Sequence, residues 1–294
     1  MQLAPEQAGF DPGRLDRITE HLNKNYVEPG KIAGCQTLVA RHGHVAHFST
    51  LGSADKERAT PLREDAIFRI YSMTKPITSV ALMSLYEQGF FQLNDPVSRY
   101  LPSWKDQKVF ISGDADNPEL EAPAQPMTFR HVLSHTGGLT YGATNHPVDR
   151  LFRREGVNRD RNETLATFID RLGRVPLRYQ PGTAWMYSVS TDVCGALVEA
   201  ISGRPFDEYL AIGTFSETAY EGTGFGLGFA TTLGEVQAGS LGAGDYYWGG
   251  AASTIFWVDP IEDLICIFMT QLMPSSTFNF RGQLKSIIYS AIVN

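Results

Sequence analysis

The chain has 294 residues, 43% of them hydrophobic and 19% charged, enough to bury one large domain or two intimately packed lobes. A net charge of −7 with no block of Lys/Arg excludes a nucleic-acid surface, and the want of a basic amphipathic helix excludes a membrane surface. No apolar run approaches the roughly 18–20 residues that span a bilayer, and the N-terminus lacks a basic region leading into an apolar one, so a cytoplasmic location is expected.

In chain order, Leu15, Ile18, Leu22 and Tyr26 recur at helical spacing behind Asp11-Pro12 and predict an amphipathic helix. "GCQTLVARHGHVAHFSTLG" alternates β-forming residues around Arg41-His42-Gly43-His44 and predicts a hairpin. A mostly apolar helix is expected from Ser72. Residues 94–126 carry five prolines and few periodic apolar positions, so they read as loop. Short helices are predicted over Thr128–Ser134, Thr164–Leu172 and Ser190–Ser202, with Gly137-Gly138 and Gly203 as end signals for the first and third. Three strands then follow, in "GFGLGFATTL", "DYYWGGAASTIFWVD" and "DLICIFMTQL", and "NFRGQLKSIIYSAIVN" closes as a helix. The fold class is therefore α/β in the α+β sense: an antiparallel sheet built from both chain termini and flanked by the terminal helices, with a mostly helical lobe inserted. The sheet lobe is expected over about 1–70 plus 222–294 and the helical lobe over about 71–221, with a site in the cleft between them.

Two S-x-x-K sequences occur, and context separates them. Ser53-Ala54-Asp55-Lys56 stands in a polar run after a strand and reads as a solvated loop. Ser72-Met73-Thr74-Lys75 begins an apolar helix whose start Pro76 pins, so a hydroxyl and an amine lie one turn apart on one face. A serine hydroxyl needs an adjacent base to become a nucleophile. Lys75 serves as that base if burial among Met73, Ile77, Val80, Ala81, Leu82, Met83 and Leu85 pulls its pKa below the ordinary ~10.4. The backbone N–H of Ser72 at the same terminus faces an oxyanion.

Four stretches in this order, "YSMTKPI" (71–77), "LSHTGGLTYG" (133–142), "QPGTAWMYSVSTDV" (180–193) and "WGGAASTIFWVDP" (248–260), resemble the serine β-lactamase and penicillin-binding-protein superfamily, and within it the family VIII carboxylesterases, which look like class C β-lactamases. The similarity runs through nearly the whole chain. It implies a β-lactamase/transpeptidase-like fold with Ser72 as acylated nucleophile, Lys75 as proton acceptor and Tyr187 as the phenol that shares general-base work and protonates the leaving oxygen. Trp248-Gly249-Gly250 falls where relatives carry Lys-Thr-Gly, which implies Ala251 N–H as second oxyanion donor. An indole in place of an ammonium offers an apolar wall rather than a carboxylate partner, and Tyr187-Ser188-Val189 lacks the Asn of Tyr-x-Asn; both departures favour neutral esters. Against the resemblance, the connection Ala211-Ile212-Gly213-Thr214 is several tens of residues short.

The expected activity is hydrolysis of short-chain carboxylic esters through an acyl-serine, with no cofactor and no metal and a small-molecule ester as the partner. Two alternatives stand beside it: a β-lactamase, D-amino-acid peptidase or amide-oligomer hydrolase, and a catalytically inactive binding protein of the same fold. His131 and His135 have zinc-like i, i+4 spacing but no accompanying Glu, and His135 reads as a local hydrogen-bonding residue. Gly222, Gly224, Gly226 and Gly228 read as the small-residue face of a strand. Cys35, Cys194 and Cys266, an odd set within apolar segments, read as buried thiols. Trp104, Trp185 and Trp257 read as core, with Trp185, two residues before Tyr187, left open as a substrate contact.

Overall fold

Asp11 begins the structure as the sequence predicts. Its carboxylate accepts from Arg14 N–H at 2.9 Å and Pro12 takes the first helical position, so helix α1 (Pro12–Leu22) starts with its orphan donors satisfied. The computed structural model describes residues 2–157, 163–212, 226–232 and 244–293, with 211–212 as backbone alone. Among these, β1 (Gly34–Arg41) and β2 (His44–Asp55) form the expected hairpin, turned by His42 and Gly43 at φ 51° and 72°. The short β3 (Thr60–Pro61) pairs with the end of β2. Helix α2 (Thr74–Glu87) follows, then a second hairpin, β4 (Val109–Gly113) and β5 (Pro118–Glu121). Helices α3 (Phe129–Leu133), α4 (Pro147–Arg154), α5 (Leu165–Leu172), α6 (Ser190–Ser202) and α7 (Phe206–Ile212) come next. The chain closes with β6 (Ala230–Thr231), β7 (Tyr246–Gly249), β8 (Ile255–Asp259), β9 (Leu264–Thr270) and α8 (Phe280–Ala291).

The described residues gather into two compact units. The first takes residues up to 74 and those from 229 onward. Its seven described strands run β3-β2-β1-β9-β8-β7-β6, antiparallel throughout, so strands from both ends of the chain meet at the β1–β9 pair, with Cys35 opposite Thr270 and Arg41 opposite Leu264. The period-two pattern of β9 buries Leu264, Cys266 and Phe268. These residues share a core with Leu15, Ile18 and Leu22 of α1 and Leu284 and Ile288 of α8, each contributing about 1.5–3 kcal/mol by burial. Lys285 is also buried on that face of α8, and its ammonium pairs with the buried Asp245 carboxylate.

The second unit spans 75–212 and 226–228. Its core joins Leu82 and Leu85 of α2, Phe129 and Val132 of α3, Phe168 of α5, and Val193 and Leu197 of α6, with Phe91 stacked on Phe129 at 3.8 Å. Thr128 and Thr164 cap α3 and α5 by accepting from the N–H groups of His131 and Thr167.

Several expectations are corrected. Residues 94–126 contain the β4–β5 hairpin, because Asp114 accepts from the N–H groups of Asp116 and Asn117 and closes a tight turn within a proline-rich run. "DYYWGGAASTIFWVD" is two strands, β7 and β8, joined by a turn at Gly250–Thr254. The first residue in left-handed conformation behind α3 is His135 (φ 58°), with Gly138 (φ 81°) three residues further on, and Gly203 caps α6 as expected. Gly228 (φ 96°) lies in a turn, where a Cβ would run into the Ser79 hydroxyl, so it does not belong to a strand face; Gly222 and Gly224 lie outside the described residues. The short connection read at 211–214 lies there as well, apart from the backbone of 211–212. Ser53 and Asp55 belong to β2 itself, and the exposed Lys56 ammonium donates to the Gly30 carbonyl at 2.8 Å. No helix of the described residues is long and apolar enough to cross a membrane, and none of their His, Cys, Asp and Glu side chains cluster in threes to hold a metal ion.

Candidate active site

The candidate residues fall into two groups, one in each unit. In the first, Ser72 stands in a 3-10 turn, Tyr71–Met73, that tightens the chain just before α2; Thr74 N–H bonds back to the Ser72 and Tyr71 carbonyls. The α-helix proper therefore begins two residues later than expected. Tyr71 holds φ 47°, a conformation costly for a non-glycine residue and one that persists where surrounding structure imposes it.

That surrounding structure is the Trp248–Gly250 segment. Strand β7 packs along the Tyr71–Met73 turn, and the Thr254 hydroxyl donates to the Ile70 carbonyl at 3.2 Å. Gly250 N–H donates to Thr254 O at 2.7 Å and Ser253 N–H to Gly250 O at 3.1 Å. A Cβ on Gly250 would collide with the Ile70 carbonyl oxygen and the Thr254 hydroxyl, so only glycine lets these backbones approach. Ser253 holds φ 65°, and its hydroxyl donates to Leu272 O at 2.8 Å. Ala251 sits exposed on the crown of the turn, and Trp248 and Gly249 are half-buried at the end of β7.

In the second group, Lys75 is half-buried in the first turn of α2, and its ammonium faces the rings of two tyrosines, Tyr141 and Tyr187. Its nitrogen lies 4.9 Å from the Tyr187 ring centroid and 5.8 Å from that of Tyr141, and the two rings meet edge-on at 5.6 Å. Burial, the largest single influence, lowers the Lys75 pKa, but Tyr141 and then Tyr187 act against it by charge and hydrogen bond, and the net result is raised. The expectation of a depressed lysine is thus overturned. The helix around it is also less enclosed than its composition suggests: Ile77 is 41% exposed, and Val80 and Met83 are only half-buried.

Tyr187 is half-buried just ahead of α6, between two further rings. His135 lies 5.0 Å from it, and Trp185 stacks at 6.3 Å with an interplanar angle of 16°. Ser188 N–H donates to His135 Nδ1 at 3.3 Å, which assigns the ring proton to Nε2. Burial, reinforced by the Lys75 charge, pushes the His135 pKa down to about 4, so the ring is neutral at pH 7. Position 189, the third of the Tyr-x-Asn pattern, is the buried Val189.

Tyr141 stands in the "LSHTGGLTYG" stretch, three residues past the Gly137-Gly138 pair, but nothing in the sequence singles it out as a neighbour of Lys75. Its loop is organised by Asp149 of α4, which is fully buried. That carboxylate accepts from Thr140 Oγ1 at 2.5 Å, from Thr144 N–H at 2.8 Å and from the Thr144 hydroxyl, and the Arg178 guanidinium lies 3.5 Å away. Burial acts to raise the Asp149 pKa, but these partners outweigh it and hold the carboxyl below the ordinary range. Among the tryptophans, Trp104 and Trp257 are buried as expected, while Trp185 is 51% exposed.

Known proteins share this arrangement of elements. Esterase EstB of Burkholderia gladioli is 36% identical over 207 residues, covering 69% of this chain and 50% of EstB. Acyltransferase calJ of Penicillium decumbens is 37% identical over 145 residues, 49% of this chain and 34% of that protein. The chain spans about half the length, or less, of such curated relatives. Among solved structures, EstCE1, a hydrolase with promiscuous acyltransferase activity, superposes with a TM-score of 0.80 at 20% identity over 95% of this chain and 99% of its own. A simvastatin synthase (LovD) variant from Aspergillus terreus gives 0.76 at 20% identity, covering 95% and 99%. These two establish the shared fold, β-lactamase/transpeptidase-like with an antiparallel sheet and helices. The Beta-lactamase family model matches residues 15–218, and the chain belongs to the β-lactamase family.

Proposed function

We propose that this chain is a serine carboxylesterase of the family VIII type that cleaves short-chain carboxylic esters through an acyl-serine. The observation that carries the reading is a lysine whose ammonium faces the Tyr141 and Tyr187 rings, three residues after Ser72 on the same lead into α2. The esterase among the relatives supports the class of substrate.

The Ser72 oxygen attacks the ester carbonyl carbon while its proton passes to the Lys75–Tyr187 pair. The amides of Ser72 and Ala251 hold the oxyanion. Tyr187 returns the proton to the leaving oxygen as the C–O bond breaks, the alcohol departs, and water attacks the acyl-serine to release the acid. Trp248, with Gly249 and Gly250 behind it, walls the substrate with an indole where a cation would bind a carboxylate, and Val189 offers no amide to a peptide-like substrate; both favour neutral esters over β-lactams. An alcohol in place of water would turn the same intermediate to acyl transfer, a reading favoured by the acyltransferases among the relatives. Buried, unpaired thiols at Cys35, Cys194 and Cys266 accord with a cytoplasmic location.

Turnover of p-nitrophenyl butyrate beside a chromogenic cephalosporin, on wild type and Ser72→Ala, is the test. Ester cleavage with a loss of several orders of magnitude in Ser72→Ala is expected. Ester cleavage that survives the substitution, or cephalosporin cleavage that exceeds it, would refute the assignment.

A further inference from the structure

A half-open indole stacked on a proposed proton donor is an unusual use of apolar surface. Trp185 is 51% exposed, whereas Trp104 and Trp257 are buried. One contact is the near-parallel Tyr187 ring at 6.3 Å, and another is the edge of the neutral His135 ring, also at 6.3 Å. The backbone on either side is fixed: Met186 N–H donates to His135 O at 2.8 Å, and Gly182 N–H to Thr136 O at 2.8 Å. The indole is therefore held in place by its neighbours and remains about half exposed.

We propose that Trp185 is the platform for the leaving group of the ester, and that it selects aryl and other broad apolar alcohol portions over small alkyl ones. The inference rests on the esterase reading for its geometry. Tyr187 hands a proton to the leaving oxygen, so that oxygen lies within hydrogen-bond reach of the Tyr187 hydroxyl. The carbon skeleton bonded to it then extends from the Tyr187 side, where the stacked indole lies. A flat ring bound there gains an offset-stacked contact that a methyl or ethyl group cannot make. No new bond chemistry is involved: the same C–O bond breaks and the same proton moves.

The experiment compares phenyl acetate with trifluoroethyl acetate by pH-stat on wild type, Trp185→Ala and Trp185→Phe. Both esters give the same acetyl-enzyme, so the ratio of their kcat/KM values reports only the leaving-group side. The ratio is expected to fall about tenfold in Trp185→Ala, about 1.4 kcal/mol, and to recover in large part in Trp185→Phe. An unchanged ratio, whether both rates fall together or neither moves, would overturn the proposal, because a residue that merely supports Tyr187 affects both esters alike. Calorimetric titration with 2-naphthol needs no turnover: Kd should weaken about tenfold in Trp185→Ala, and equal affinity in the two proteins counts against the platform even if neither ester is cleaved. Failure of the wild type to cleave either ester is a failure of the esterase reading alone. Near-ultraviolet circular dichroism confirms that the variants are folded.

Discussion

The Lys75 ammonium lies 4.9 Å from the centroid of the Tyr187 ring and 5.8 Å from that of the Tyr141 ring. Burial pulls the lysine toward its neutral form, yet the two phenols outweigh it and the pKa stands above the ordinary value. The proton affinity of the amine is thus set by these neighbours as well as by its burial.

The pH profile follows. The Lys75–Tyr187 pair accepts the Ser72 proton only after losing one of its own, and a raised Lys75 pKa delays that loss. The kcat/KM for a p-nitrophenyl ester, corrected for spontaneous hydrolysis, is expected to rise from neutral pH through pH 9 with no plateau near 7. His135, at about 4, contributes no histidine limb between pH 6 and 7. A profile flat from pH 7 upward would contradict this account of Lys75.

Tyr141→Phe removes the first of the influences that raise Lys75. The alkaline rise should begin at lower pH in the variant, with the ratio of the rate at pH 7 to that at pH 9 increased. Loss of activity by the same factor at every pH would assign Tyr141 a purely structural part.

Asp149→Asn tests the hub beneath Tyr141. The substitution leaves Arg178 facing a neutral amide in a buried site, so a loss of about 2–4 kcal/mol is expected in denaturant unfolding. The sign with pH is fixed by the lowered carboxyl. Its folded value lies below 3.8, so its stabilisation is present above that ordinary value and is lost as pH falls through the folded value. Wild type should therefore lose more stability than the variant as pH drops below 3.8.

Gly250→Ala places a methyl against the Ile70 carbonyl and the Thr254 hydroxyl. Overpacking there costs about 1–3 kcal/mol and displaces the turn that abuts Tyr71–Met73. The acylation rate measured by stopped flow should fall with it. Gly43→Ala, in the β1–β2 turn with open space around it, separates the two effects by lowering stability through strain at φ 72° without touching acylation.

How much of this was legible in the sequence depends on how far apart the partners lie. Asp11-Pro12, Thr128, Thr164 and the His42-Gly43 turn announce elements through local chemistry, and the structure has those elements there. The meeting of both chain ends in one sheet was legible from the strand patterns of "GCQTLVAR" and "LICIFMT". Pairings at long range were not. Nothing local marks Lys285 as the partner of Asp245, forty residues earlier, or Tyr141 as a neighbour of Lys75. The direction of the lysine's pKa is hidden for the same reason: the burial is visible in the helix pattern, but the phenols that outweigh it come from two other segments. The split of β7 from β8 was hidden because Ala251-Ala252 read as strand, while the turn is made by a glycine and by Ser253 in left-handed conformation.

The most direct test of the central claim is covalent. The intact protein is treated with a fluorophosphonate, its mass is measured, and the adduct is located by peptide sequencing. One adduct per chain, on Ser72, and none in Ser72→Ala is the expected result; an adduct on another residue, or none on a protein that cleaves p-nitrophenyl butyrate, would contradict it.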